Sequence, residues 1–168
     1  MKFLMIHCTA TPESRDYNTK QILSWFTDMG WKVPGYSQVT HLDGRIEVLR
    51  DYNADDIMQD SEITNGAKGW NRDARHIAYI GGVASDGRTP KDTRTLLQKD
   101  SLAAQVKSFV YRYPHIQVIG HNQVANKACP SFDVPSWCRY IGLLERNISN
   151  IKLPSAFVRN SQLFDFKI

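Results

Sequence analysis

The chain lacks several features that would place it quickly. No apolar run approaches the roughly 18 residues of a bilayer-spanning helix, so no membrane insertion is expected. It has only three cysteines, Cys8, Cys129 and Cys138, too few and too odd in number for a disulfide framework. They suit a reducing site of synthesis, with metal-binding or free-thiol roles. Lysine and arginine form no dense basic block and the net charge is only +4, so no nucleic-acid partner is expected. A mild positive field of this kind suits an acidic polymer. There is no internal repeat and no low-complexity tract. The opening residues give one lysine and then a short apolar stretch broken at His7. That is the pattern of a buried strand rather than a signal peptide.

What is present fits one folded domain. The 168 residues are 42% hydrophobic and 23% charged, an ordinary balance for a chain with a core. Residues 2–9 read as a buried strand. Asn18 is placed to cap a helix that repeats Ile22, Trp25, Phe26 and Met29 at helical spacing and stops at Gly30. Asp43-Gly44 joins two strand-like stretches as a hairpin, and 53–75 reads as a long surface loop. A strand follows at 76–81. Thr95 and Gln98 form a capping box for a helix that buries Leu102, Val106, Phe109 and Val110 and ends before Pro114. Residues 116–119 read as another strand, and a last helix is expected from Pro135 to about Arg146. Strands alternating with helices point to an α/β domain, a central mixed sheet flanked by helices.

The chemistry concentrates in His7, His121 and Cys129. Two imidazoles and a thiolate are a complete protein ligand set for a catalytic zinc, with the fourth position left open. A strand and a returning loop would supply them. Lys127 stands two residues before Cys129, so an extended backbone would turn both side chains the same way, and its ammonium would suit an oxyanion. Tyr36 opens a strand, and its phenol would serve as a further donor or as a proton shuttle. Taken singly, Cys129 also reads as a small buried hydrophobe, Lys127 as a solvated charge and Tyr36 as a half-buried aromatic. Cys8 alternates away from His7 and reads as core, as does Cys138. His41, His76 and His115 have no partner in the pattern. Asp133 fits either a support for the metal loop or a helix cap.

Four segments carry a family resemblance: IHCTATP (6–12), GWKVPGYSQVTHLDGRIEVLRD (30–51), GAKGWNRDARHIAYIGG (66–82) and HNQVANKACPSFDV (121–134). In this order and spacing the chain resembles the zinc-dependent N-acetylmuramoyl-L-alanine amidases, which include phage lysozyme-type amidases and peptidoglycan recognition proteins. The resemblance covers roughly residues 3–140. It implies zinc at His7, His121 and Cys129 on the floor of a groove, with Tyr36 and Lys127 as the catalytic pair. It implies peptidoglycan as the partner and the lactyl–L-alanine amide as the bond cut. Some phage relatives also bind a polymerase, a role on which these residues say nothing.

One departure stands out, because many relatives carry histidine where this chain has Gly66. Thr9, Trp70, Asn71, Arg72 and Arg75 are the nearby candidates for substrate contact. The amidase region is expected over 1–146, with 147–168 an extension of unassigned role. Synthesis in the cytoplasm and action on the wall after release by another route are the matching expectations. The competing readings are a non-catalytic peptidoglycan-binding protein and a metal-free cysteine hydrolase built on Cys129.

Overall fold

Alternating side chains in the first strand divide the molecule into two faces. The structure, a computed structural model, describes residues 1–153; 154–168, most of the expected extension, lie outside the described residues. The strands are β1 (Phe3–Cys8), β2 (Thr11–Pro12), β3 (Gln38–Thr40), β4 (Ile46–Val48), β5 (Ala74–Tyr79), β6 (Gly82–Val83) and β7 (Gln117–Gly120). The helices are α1 (Thr19–Asp28), α2 (Leu96–Arg112) and α3 (Val134–Tyr140). Five strands form one sheet in the order β4-β3-β5-β1-β7. β3 and β4 run antiparallel and the other neighbours parallel, so the sheet is mixed, as the alternation of elements implied. β2 and β6 pair separately in a small ribbon.

On one face of β1, Leu4, Ile6 and Cys8 join Leu102, Val106 and Phe109 of α2 and Val134, Trp137 and Cys138 of α3. A fully buried Leu or Ile stabilises by about 1.5–3 kcal/mol, so this side anchors the sheet. On the other face Met5 packs with Ala74, Ile119 and Ala67, while Ile22 and Phe26 of α1 cover Val39 and Ile80 farther along. His7, on the Met5 side, is left between these two smaller clusters.

Local chemistry explains the helix boundaries. Asn18 and Gln21 form a reciprocal capping box at α1, and Thr95 and Gln98 form the one expected at α2. The Gln98 amide also donates to the carbonyls of Thr40 and Ile80 at 3.2 and 2.9 Å, tying α2 to the sheet. Asp133 is the cap of α3, accepting from the Ser136 amide at 2.7 Å. That helix is shorter than expected. It ends at Tyr140 because Gly142 takes a left-handed φ of +84° and turns the chain back.

Packing does not stop at residue 146. The Asn147 side chain donates to the carbonyls of Pro114 and Ile116, Ile148 is fully buried, and the Ser149 amide donates to Val118 of β7 at 3.0 Å. No described helix is long and apolar enough to cross a membrane.

Candidate active site

His7 is fixed by its strand. β1 lies between β5 and β7, and His7 is 1% exposed. His121 comes from the end of β7, where a glycine is required by space. A Cβ at Gly120 would sit 2.6 Å from Asn122 Oδ1 and 2.8 Å from Val134 Cγ2. Without one, the chain turns at once into a short 3₁₀ helix, His121–Gln123, and the Gly120 amide donates to Gln123 Oε1 at 2.8 Å. The loop beyond is held from the core side by Tyr79, whose hydroxyl donates to the Pro130 carbonyl at 2.7 Å. Cys129 therefore returns beneath the end of β1, where its sulfur accepts the Cys8 amide at 3.2 Å.

The three side chains expected from the sequence do converge. One ligand atom from each of His7, His121 and Cys129 lies within 4.8 Å of the others. Cys129 Sγ is 3.6 Å from His7 Nδ1. Sulfur at about 2.3 Å and nitrogen at about 2.0 Å from one tetrahedral zinc would lie about 3.5 Å apart. Electrostatics agree with the distances. Burial first, then His121, His76 and Lys127, hold His7 well below the usual imidazole range. Burial and Lys127 bring His121 down to about 4. Both rings are thus neutral, the form that offers a lone pair. Burial, then contact with Cys8, pushes the Cys129 thiol well above its usual range, so a thiolate there requires an adjacent cation. Two neutral nitrogens and a sulfur that ionises only beside a cation fit zinc.

Tyr36 lies against His7, and Lys127 lies in the groove wall with His121. Tyr36 packs edge-on against Phe26, with its ring centroid 5.2 Å from that of His7, and donates to the Cys8 carbonyl at 3.3 Å. Burial, then the Cys129 and Cys8 sulfurs, raise its phenol well above the usual range, so it keeps its proton. Lys127 is exposed and lines a groove of about 620 Å³ together with His121, Trp31 and residues 65–69. Trp31, Asn65 and Lys68 of this wall were not singled out from sequence. Trp31 and Lys68 do fall inside the segments that carry the resemblance, at 30–51 and 66–82, whereas Asn65 lies just outside them.

The expected substrate contacts divide. Asn71 lines the groove, and its side-chain Oδ1 accepts the Ala67 amide at 2.8 Å. Trp70 stacks edge-on against Phe3 and packs with Met5 and Ala74 behind the groove. Thr9 bonds Thr11 and accepts the Gly81 amide, bridging β1 to the next turn. Arg72 is exposed and paired with Asp60 at 2.8 Å. Arg75 is corrected. It lies inside β5 rather than on a loop, its side chain is 1% exposed, and it pairs with Glu62 at 3.3 Å over the Tyr52 ring. Strand alternation turns it to the α2 face, away from His7.

His76, left aside in the sequence, touches the site. Its Nδ1 lies 2.9 Å from His7 Nε2. Burial, then the nearness of the His121 imidazole, lowers its pKa to about 3. His41 instead sits between the Asp16 and Glu47 carboxylates, and His115 beside Asp56. The middle loop lies flat on the His76 ring, so a Cβ at Gly66 would be 2.3 Å from Nδ1 and 2.8 Å from the Gly35 carbonyl oxygen. Gly66→Ala is therefore expected to cost about 1–3 kcal/mol by overpacking. Urea unfolding at constant m-value checks this, and an unchanged midpoint would mean that the loop moves aside freely.

No family model matches the chain. Over 134 residues it is 30% identical to the endolysin of Escherichia phage T7 and to that of Enterobacteria phage K11. Each match covers 80% of this chain and 83% of the relative. Among solved structures it is similar to an N-acetylmuramoyl-L-alanine amidase, LysC from Clostridium intestinale. The TM-score there is 0.66, with 20% identity over 85% of this chain and 86% of that one. It is also similar to bumblebee PGRP-SA, with a TM-score of 0.64 and 20% identity over 83% of this chain and 80% of the other. At that identity the structural likeness speaks to the fold.

Proposed function

Because the chain belongs to the family of N-acetylmuramoyl-L-alanine amidases and peptidoglycan recognition proteins, with phage endolysins among its relatives, we propose that it is a zinc-dependent peptidoglycan amidase. Hydrolysis of peptidoglycan in cell lysis is the broad activity its relatives support. The bond proposed is the amide between the lactyl group of N-acetylmuramic acid and L-alanine of the stem peptide. The observation that carries this reading is the convergence of His7, His121 and Cys129 beside a groove with Lys127 in its wall.

His7, His121 and Cys129 would hold one zinc ion. When bound, zinc supplies Lewis acidity at a carbonyl and lowers the pKa of water from about 16 to about 7. The remaining work falls to the chain. The Lys127 ammonium, in the same wall as His121, faces the space where a carbonyl oxygen would gain negative charge. Tyr36 retains its phenolic proton and offers it to that oxygen or to the departing amine. Neutral His7 and His121 keep the cluster from carrying excess positive charge. A groove of about 620 Å³ is the size of a site that takes a small-molecule-sized segment of substrate. Asn71 is the proposed polar contact along it, with Trp70 supporting the wall through the cluster that contains Ala67. The wall polymer lies beyond the membrane, so the proposal includes release of a cytoplasmically made protein by another route.

Mass spectrometry of purified peptidoglycan after incubation with the protein tests the reading. Intact stem peptides with a new L-alanine amine, and unmodified glycan strands, are the expected products. Unchanged wall with retained protein would instead indicate a binding module, and cuts inside the peptide would reassign the bond.

A further inference from the structure

The departure at Gly66 has a counterpart on β5. Building on the zinc reading of the site, we infer that His76 is a positioning residue, whose Nδ1 accepts the Nε2 proton of His7 and so fixes the His7 tautomer that presents a bare Nδ1 to the metal. The geometry runs in one direction. His7 Nδ1 is the atom turned toward Cys129 Sγ, at 3.6 Å. A neutral imidazole carries one proton, so a ligating Nδ1 places that proton on Nε2. Nε2 is the atom 2.9 Å from His76 Nδ1. The bond therefore needs His76 Nδ1 bare and its own proton on Nε2, an atom that is buried and without a partner among the described residues. The opposite arrangement would put a proton on His7 Nδ1, between the ring and the thiol, and would close that nitrogen to a cation.

The fold builds this contact deliberately small on one side and flat on the other. In the parallel register of β1 and β5, His76 stands beside Met5 and Ala78 beside His7. The methyl of Ala78 leaves room for the His76 ring to lean across the diagonal toward His7. Gly66 closes the other side, since any Cβ there would enter the ring space at 2.3 Å from Nδ1 and 2.4 Å from Cγ. A side chain at 66 and an imidazole at 76 compete for one volume, and this chain gives that volume to His76. A hydrogen-bond acceptor on the far nitrogen of a ligating histidine orients the ring and raises its basicity.

Two substitutions separate the acceptor from the ring. His76→Phe keeps an aromatic ring and removes the nitrogen. His76→Asn loses the ring but keeps an acceptor oxygen near the position of Nδ1. Zinc affinity is read by competition with a chromophoric chelator, and ligand geometry by the absorption of the cobalt(II)-substituted protein. His76→Phe is expected to bind zinc about 10- to 100-fold more weakly and to shift the cobalt bands, while His76→Asn restores most of the affinity. If the phenylalanine variant does not fold, His76→Leu takes its place. Wild-type affinity and an unchanged cobalt spectrum in the nitrogen-free variant would overturn the inference. So would a folded asparagine variant as weak as it. Absence of zinc binding by the wild-type protein would overturn the zinc reading itself, a result distinct from both.

Discussion

Cys129→Ser is expected to stop peptidoglycan hydrolysis, by on the order of 1000-fold or more, while the protein remains folded and loses its zinc. The sulfur accepts the Cys8 amide and faces His7 Nδ1 in a site where Cys129 is 8% exposed. A serine hydroxyl is shorter, harder and protonated at neutral pH, so two imidazoles would be left to hold the ion without an anionic partner. Clearing of isolated cell walls reads the activity, and metal analysis of dialysed protein reads the occupancy. A serine variant with full zinc would remove Cys129 from the ligand set. The wild-type protein should behave in parallel, losing activity to a chelator and regaining it with added zinc. Activity that survives chelation would point to Cys129 as a nucleophile instead. Its burial argues against that role, because a thiol pushed well above its usual range is a poor nucleophile at neutral pH.

The second large effect is expected from the proposed catalytic pair, Lys127 and Tyr36, with the metal left in place. Lys127→Ala and Tyr36→Phe should each lower turnover about 100- to 1000-fold, the usual cost of losing one donor aimed at an oxyanion. The two variants should differ in stability. Lys127 is exposed, so its loss should leave unfolding unchanged. Tyr36→Phe removes the bond to the Cys8 carbonyl, worth about 1 kcal/mol. Zinc content should match wild type in both. A variant that turns over at the wild-type rate excludes its residue from the mechanism.

The convergence of His7, His121 and Cys129 was legible less from their spacing, which is weak on its own, than from the residues around them and the resemblance these carry. His7 ends an apolar strand, and His121 and Cys129 bracket one loop. The Asn18 cap and the Thr95–Gln98 capping box were equally legible, since each is satisfied within four residues. What lay hidden depended on strand register. Whether Met5 or His7 stands beside His76 is set by long-range pairing of β1 with β5, and no local pattern encodes it. Arg75 was misplaced for a related reason. A strand starting at Ala74 rather than at residue 76 converts a loop arginine into a buried one. The last helix was overextended because Gly142 acts through its backbone angle, which the apolar spacing of its neighbours masks. The chain's one visible departure, Gly66, carried half of the message, and the other half was ten residues away on a different element.

The pairing of 147–149 with β7 has a bearing on how copies of this protein meet one another. β7 is the last strand of the sheet on its side, and an open last strand offers a row of free amides and carbonyls to any passing chain. Here Asn147 occupies the carbonyls of Pro114 and Ile116, Ser149 occupies that of Val118, and Gln123 clasps the carbonyls of Ser149 and Ile151 from the site side. The opposite border, β4, is only three residues long. Neither border leaves much backbone for intermolecular zipping. Trimming the chain at 146 would strip one of those guards, so a shortened version that keeps the enzyme unaggregated at high concentration should end no earlier than Ile151.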